Sequence, residues 1–171
     1  MSLFEVINHQ VKDPRREQGR RISLPQAFTI IIISHLCGYY SGRKIAAFGE
    51  KNEDIFTDLL KLKHGVPSHV IFTDIMNRVD QKELINAFNT WTSTYVPLEK
   101  GDMVSGDGKV LGSTVEYACT KHQTFQAVVS LFCQKSGLIQ SLQTYEQKKD
   151  NEISVIKFLV QALQNMGLVF F

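Results

Sequence analysis

The spacing of apolar positions changes part-way along the chain, and that change organises it. Up to about Pro97 the apolar residues recur at three- and four-residue steps, the period of a helix with one buried face. Leu3 to His9 predicts a short helix. The stretch "VKDPRREQGRR" after it is polar and holds Pro14 and Gly19, which predicts a loop or arm. Leu24 to Leu36 predicts a helix with Pro25 in its first turn. Its four consecutive isoleucines suit a buried strand equally, because a short apolar run carries no period. Ser41 is a candidate N-cap for "GRKIAAFGE", where Ile45 and Phe48 share a face. A short helix is expected from about Glu53 to Lys61. Ser68 then caps a helix with Ile71, Ile75 and Val79 as its stripe. Asp80 opens another, with Glu83 placed as in a capping box and Leu84, Phe88 and Trp91 as its buried face.

Beyond Pro97 the residues alternate or run apolar in short bursts. "DMVSGD", "FQAVVSLFC" and "LIQSLQTYE" predict three strands, and "QKSG" between the last two predicts a hairpin turn with Gly137 at positive φ. Asn151 to Met166 predicts an amphipathic helix with Ile153, Ile156 and Leu163 on one side and Gly167 at its end. The final "LVFF" resembles the start of a strand that pairs in parallel with an earlier one through a helical crossover. A strand with an exposed apolar edge is a hazard, so the chain is expected to be cut short. The fold class expected is α+β: a helical region, residues 1–97, followed by a part-formed sheet domain, residues 98–171.

Composition narrows the class of function. The 171 residues carry 19 basic and 17 acidic side chains and 43% hydrophobic ones, enough apolar material for one core or two small ones. A net charge of +2 does not make a polycation, so any affinity for nucleic acid has to come from local clustering. Cys37, Cys119 and Cys133 are odd in number and widely spaced, against a disulfide framework or a zinc site and in favour of a reducing cytoplasm. The apolar run Ala27 to Cys37 is too short to span a bilayer and has no cleavage site for a secretion signal.

Two places carry candidate chemistry. In "MVSGDGKV" Asp107 lies between two glycines. Asp-Gly is a hairpin-turn dipeptide; the other reading, a metal-ligating carboxylate, needs Asp107 at the end of a strand central in a sheet. Lys109 beside it either meets a phosphate or is a solvated charge. The second place is the arm, where Lys12, Arg15, Arg16, Arg20 and Arg21 fall within ten positions. Arginine forks suit phosphate oxygens, and the alternative is a solvated, flexible arm whose charge Asp13 and Glu17 partly cancel. The five histidines show no metal-ligand spacing, and His64 and His69 are expected to cap or to face solvent. No nucleophile elbow and no Walker-type phosphate loop is present.

The blocks "DPRREQGRRISLP", "SGRKIAAFGE", "GVPSHVIFTDIMNRVD", "SGDGKVLGS" and "KKDNEISVIKFLVQAL", in this order from about residue 11 to the C-terminus, resemble the H-repeat-associated transposases of bacterial insertion sequences. The resemblance implies an N-terminal helical transposase region and then an RNase H-like catalytic domain with an Asp-Asp-Glu set that binds Mg²⁺ or Mn²⁺. Asp107 matches the first aspartate, which makes it the implied catalytic and metal-binding residue. The arm residues and Lys109 are the implied DNA contacts, and DNA at the element's ends is the implied partner, alongside a homo-oligomer or a full-length transposase. Asn151 and Glu152 match the block that opens the following helix, and Glu152 is no substitute for the set's glutamate. "GLVFF" matches the strand that delivers the second aspartate, with neither that residue nor the glutamate after it. Cleavage and strand transfer of this kind use two divalent ions roughly 4 Å apart, which one aspartate does not hold. The expectation is a truncated DDE transposase, inactive alone; the alternative is a non-enzymatic DNA-binding protein or regulator of a full-length transposase.

Overall fold

A computed structural model describes residues 1–18, 20–95, 97–116, 124–146, 157 and 169–170. The chain divides into two compact units, Met1–Ala87 and Phe88–Phe171. The architecture is α+β as expected, with six helices followed by a sheet among the described residues.

In the first unit α1 (Leu3–Gln10) starts with a capping box: Ser2 accepts from the Glu5 N–H, and the Glu5 carboxylate accepts from the Ser2 N–H. The isoleucine run resolves as α2 (Leu24–Leu36), closed at its start by the same device between Ser23 and Gln26. Ala27, Phe28, Ile30 and Ile31 are buried there, while Ile32 stays exposed. Ser41 caps α3 (Gly42–Lys51), as its position predicts. After α4 (Glu53–Leu60), Lys61 adopts the left-handed conformation that ends a helix.

Helix α5 (His69–Arg78) follows Ser68, whose side chain makes no cap hydrogen bond. Its stripe differs from the expected Ile71, Ile75 and Val79: the buried pair is Phe72 and Ile75, and Val79 is already the C-cap. Helix α3 packs against α5 so closely that a Cβ on Gly42 would meet Thr73 Oγ1 and lie 3.0 Å from the His69 carbonyl oxygen. Helix α6 (Gln81–Tyr95) is capped by Asp80, which accepts from the N–H groups of Lys82 and Glu83 at 2.7 and 3.2 Å. The Glu83 carboxylate does not close the expected box but accepts from the main-chain N–H of Lys12 at 2.8 Å. Leu84, Phe88 and Trp91 are half-buried, and the fully buried positions of this helix are Ala87 and Thr92.

In the second unit the sheet has the order β3-β2-β1-β4. Strands β2 (Thr124–Cys133) and β3 (Leu138–Glu146) form the expected antiparallel hairpin, with Gly137 at φ +69°. β1 (Met103–Glu116) is antiparallel to β2, and β4 (Val169–Phe170) is parallel to β1, as "LVFF" predicts. Val104, Ala127, Val129, Leu131, Cys133, Tyr145 and Leu98 make the core on one face. The outer edge of β3 is satisfied from α6: the Asn89 amide donates to the Leu142 carbonyl and accepts from the Leu142 N–H, at 2.9 and 2.8 Å, and Thr92 donates to the Gln140 carbonyl. These bonds occupy the edge groups at Gln140 and Leu142, which are then not free to pair with another strand. The helix expected over Asn151 to Met166 lies outside the described residues apart from the helical Lys157. So do Glu152, Cys119 and His122.

Candidate functional site

Gly106, Asp107 and Gly108 are not a turn. They run through the interior of β1, opposite Leu131, Ser130 and Val129 of β2. Glycine weakens a strand interior, so the dipeptide alone favours a turn; a long antiparallel partner on one side holds the segment extended. β1 itself lies between β2 and β4, the central placement that a metal-ligating aspartate requires. Asp107 is the fifth of fourteen strand residues rather than the last of a short strand.

Alternation of side chains fixes what surrounds it. Val104 belongs to the core face, so Met103, Ser105, Asp107 and Lys109 share the opposite one, and Asp107 and Lys109 are both exposed there. Across the ladder Asp107 faces Ser130, whose hydroxyl donates to the Asp107 main-chain carbonyl at 3.5 Å. Magnesium asks for near-octahedral oxygen coordination, and a two-ion site needs several carboxylates. Among the described residues no group of three or more His, Cys, Asp or Glu side chains is gathered to hold a metal ion. The described donor set around Asp107 does not fit a divalent pair.

The arm is folded rather than loose. Arg15 is buried: its Nε and Nη2 grip both carboxylate oxygens of Asp13 at 2.9 and 2.7 Å, and Nη2 also donates to the Ile22 carbonyl at 3.0 Å. Burial alone would raise the Asp13 carboxyl, but hydrogen bonds from the Arg15 side chain and main chain and the charges of Arg15 and Arg20 outweigh it. They hold the group below its ordinary 3.8. Arg20 donates to the Arg16 carbonyl at 3.1 Å and to the Arg15 carbonyl, and lies 3.6 Å from Asp13. Arg78, reaching over from α5, donates to the Pro14 carbonyl and pairs with Asp74 at 3.1 Å.

Lys12, Arg16 and Arg21 are exposed. Among the described residues, no carboxylate is within ion-pair distance of their side chains. A cleft of about 490 Å³ separates the arm from the segment leading into α5. Arg16, Arg20 and Arg21 line one wall; His64, Ser68 and Arg78 line the other. The part played by His64 and Arg78 is not legible from spacing along the chain, since each comes from far beyond the arm. The hydrogen bond from Arg78 to Pro14 is what joins the two segments.

Among the described residues no helix is long and apolar enough to cross a membrane. Cys37 and Cys133 are free thiols, the second in the sheet core.

Comparison with known proteins bears on the helical part of the chain. The family model described as DDE_Tnp_1-associated matches residues 7–92, the segment holding the whole arm, α2 to α5 and most of α6. An "Uncharacterized protein in dhlA 3'region" from Xanthobacter autotrophicus is 28% identical over 111 residues, which cover 64% of this chain. The chain spans only 36% of that relative's length. No solved structure matches.

Proposed function

Because the chain belongs to the DDE_Tnp_1-associated family, we propose that it serves DNA transposition of an insertion sequence as a DNA-binding polypeptide, and that its sheet unit is part of an RNase H-like domain. The observation that carries the reading is the extent of the match, residues 7–92, which takes in the basic arm together with the helices that hold it. Phosphate contacts from arginine and lysine position a protein on DNA without reading its sequence. Lys12, Arg16 and Arg21 supply such contacts from the first unit and Lys109 from the second, while Arg15 and Arg20 keep the arm in shape.

The sheet order β3-β2-β1-β4, with β4 parallel to β1, supports the RNase H-like assignment. Asp107 is then the first ligand of an Asp-Asp-Glu site for Mg²⁺ or Mn²⁺. In this reading the polypeptide does not cut DNA on its own. It acts in DNA binding, as a homo-oligomer or alongside a full-length transposase.

Electrophoretic mobility shift with purified protein and a duplex carrying the element's ends tests the binding. Retardation at low salt that fades steeply as salt rises is expected, because each phosphate contact releases counterions. The absence of any shift at low salt would refute DNA binding. Incubation of supercoiled plasmid with Mg²⁺ tests the second part: no nicking is expected, and nicking that disappears in Asp107→Ala would show an active site in this chain.

A further inference from the structure

Five arginines line the cleft between the arm and α5, and the structure divides them by what they already hold. Arg15 is spent on Asp13 and Ile22, Arg20 on the carbonyls of Arg15 and Arg16, and Arg78 on Asp74 and Pro14. All but the Arg78–Asp74 pair, which lies within α5, tie the arm to itself or to α5. Arg16 and Arg21 stand on the cleft wall, exposed and with no carboxylate partner among the described residues. His64 faces them from the segment before α5 and is exposed as well. A guanidinium held rigid by its backbone yet without a partner is set up for a ligand that brings paired anionic oxygens.

We propose that this cleft is a grip for the phosphate backbone of duplex DNA, in which Arg16 and Arg21 each take a phosphate and His64 closes the opposite wall. The inference rests on the reading of the chain as DNA-binding and gives that binding a place. Duplex DNA is favoured over a single small phosphate compound because the two free arginines are separated along the arm by Arg20, whose side chain turns back to the main chain. Two separate guanidinium groups, each without a carboxylate partner among the described residues, suit a ligand that carries repeated phosphates. The cleft is also bordered by the exposed Arg16, Arg21, His64 and Ser68, so a ligand larger than the cleft reaches these side chains from solvent.

The test uses the full 171-residue chain and a fluorescein-labelled DNA duplex of arbitrary sequence, with anisotropy followed over a potassium chloride series. The slope of log K against log salt counts the phosphates engaged, at about 0.9 per contact on duplex DNA. Arg16→Gln with Arg21→Gln is expected to make the slope shallower by about 1.8, two contacts' worth. Arg16→Lys with Arg21→Lys, which keeps both charges, retains the wild-type slope. Lys51→Gln, on α3 and outside the cleft lining, leaves slope and affinity unchanged.

A wild-type slope in the double Gln variant would overturn the proposal while DNA binding itself stands. Equal loss of slope in Lys51→Gln would overturn it too, since the attraction would then be spread over the surface. Loss of slope in the double Lys variant would point to the shape of the arm and not its charge, with the same consequence. If the wild-type chain fails to bind the duplex at low salt, the reading of the chain as DNA-binding falls and the cleft falls with it.

Discussion

Arg15→Ala should destabilise the helical unit by far more than the loss of a surface arginine. The side chains of Arg15 and Asp13 are 8% and 13% exposed, so the pair is largely out of water. The substitution removes the two bonds to Asp13 and the one to the Ile22 carbonyl. Breaking a buried pair by taking away one partner costs about 3–5 kcal/mol, because the other charge stays buried and uncompensated. Two features place the cost at the lower end. Asp13 keeps the main-chain N–H of residue 15 at 3.0 Å and Arg20 at 3.6 Å, and the arm lies at the surface, where it can admit water. About 3 kcal/mol on a unit of this size corresponds to a fall in Tm of about 12 °C or more.

Far-ultraviolet circular dichroism suits the measurement, since α1 to α5 and the start of α6 all lie in this unit. Arg16→Ala serves as the reference: among the described residues its side chain has no carboxylate partner to lose, and its Tm should stay at the wild-type value. Arg15→Lys should recover only part of the loss, because an ammonium cannot span both carboxylate oxygens and the carbonyl at once. A fall of less than about 2 °C in Arg15→Ala would mean that the pair is worth no more than an exposed one, at about 0–1 kcal/mol. The account of a rigid arm would then be wrong.

Three further outcomes follow from other contacts. The Asp13 carboxyl is held below its ordinary 3.8, so the folded state binds fewer protons there than the unfolded one; its contribution is complete above that value and is lost as pH falls through the lowered one. The Tm gap between wild type and Asp13→Asn should therefore narrow on acidification below about pH 4, and a constant gap would refute the assignment. Gly42→Ala gains helix propensity of about 1 kcal/mol, yet its methyl group meets Thr73 and the His69 carbonyl, and overpacking against main chain costs about 1–3 kcal/mol. A net loss of stability is expected in chemical denaturation, and a gain would show that α3 and α5 can move apart freely. Asn89→Ala leaves the Leu142 N–H and carbonyl on the sheet edge without their side-chain partner, at about 1–3 kcal/mol. Faster hydrogen exchange at the Leu142 amide is its signature, and unchanged exchange would count against α6 closing that edge.

Several of the helices were legible because they carry their own punctuation, although Ser68 before α5 makes no cap hydrogen bond. Ser23 before Leu24-Pro25, Ser41 before Gly42 and Asp80 before α6 all accept from the first turn in the structure, and such caps depend on neighbours within three residues. The faces of the helices were harder. Phe72 displaced Ile71 from the centre of the α5 stripe, and Ala87 and Thr92 displaced Leu84 and Trp91 on α6. Which side of a helix turns inward depends on what approaches it, and the glycine at position 42 admits α3 to one side of α5 without leaving any trace in the periodicity of α5 itself. Glu83 shows the same limit. Its spacing from Asp80 spells a capping box, but the Lys12 N–H arrives from across the unit and takes the carboxylate.

The two candidate sites illustrate how context outweighs composition in opposite directions. At Asp107 local chemistry favoured a turn, and pairing with β2 on one side and the place of β1 inside the sheet made it a strand residue. In the arm the count of cations overstated what is available to a ligand. Five basic residues within ten positions read as one patch, yet Arg15 and Arg20 are committed to Asp13 and to main-chain carbonyls, and a charge already neutralised contributes little to an external field. What the committed arginines supply is geometry. With them in place Arg16 and Arg21 stand on a cleft wall instead of on a loose chain, so that less conformational entropy is lost when a phosphate binds. An arm with every arginine free would carry more charge and present it less well, which is why the stability of Arg15 and the salt dependence of Arg16 and Arg21 are two measurements of one design.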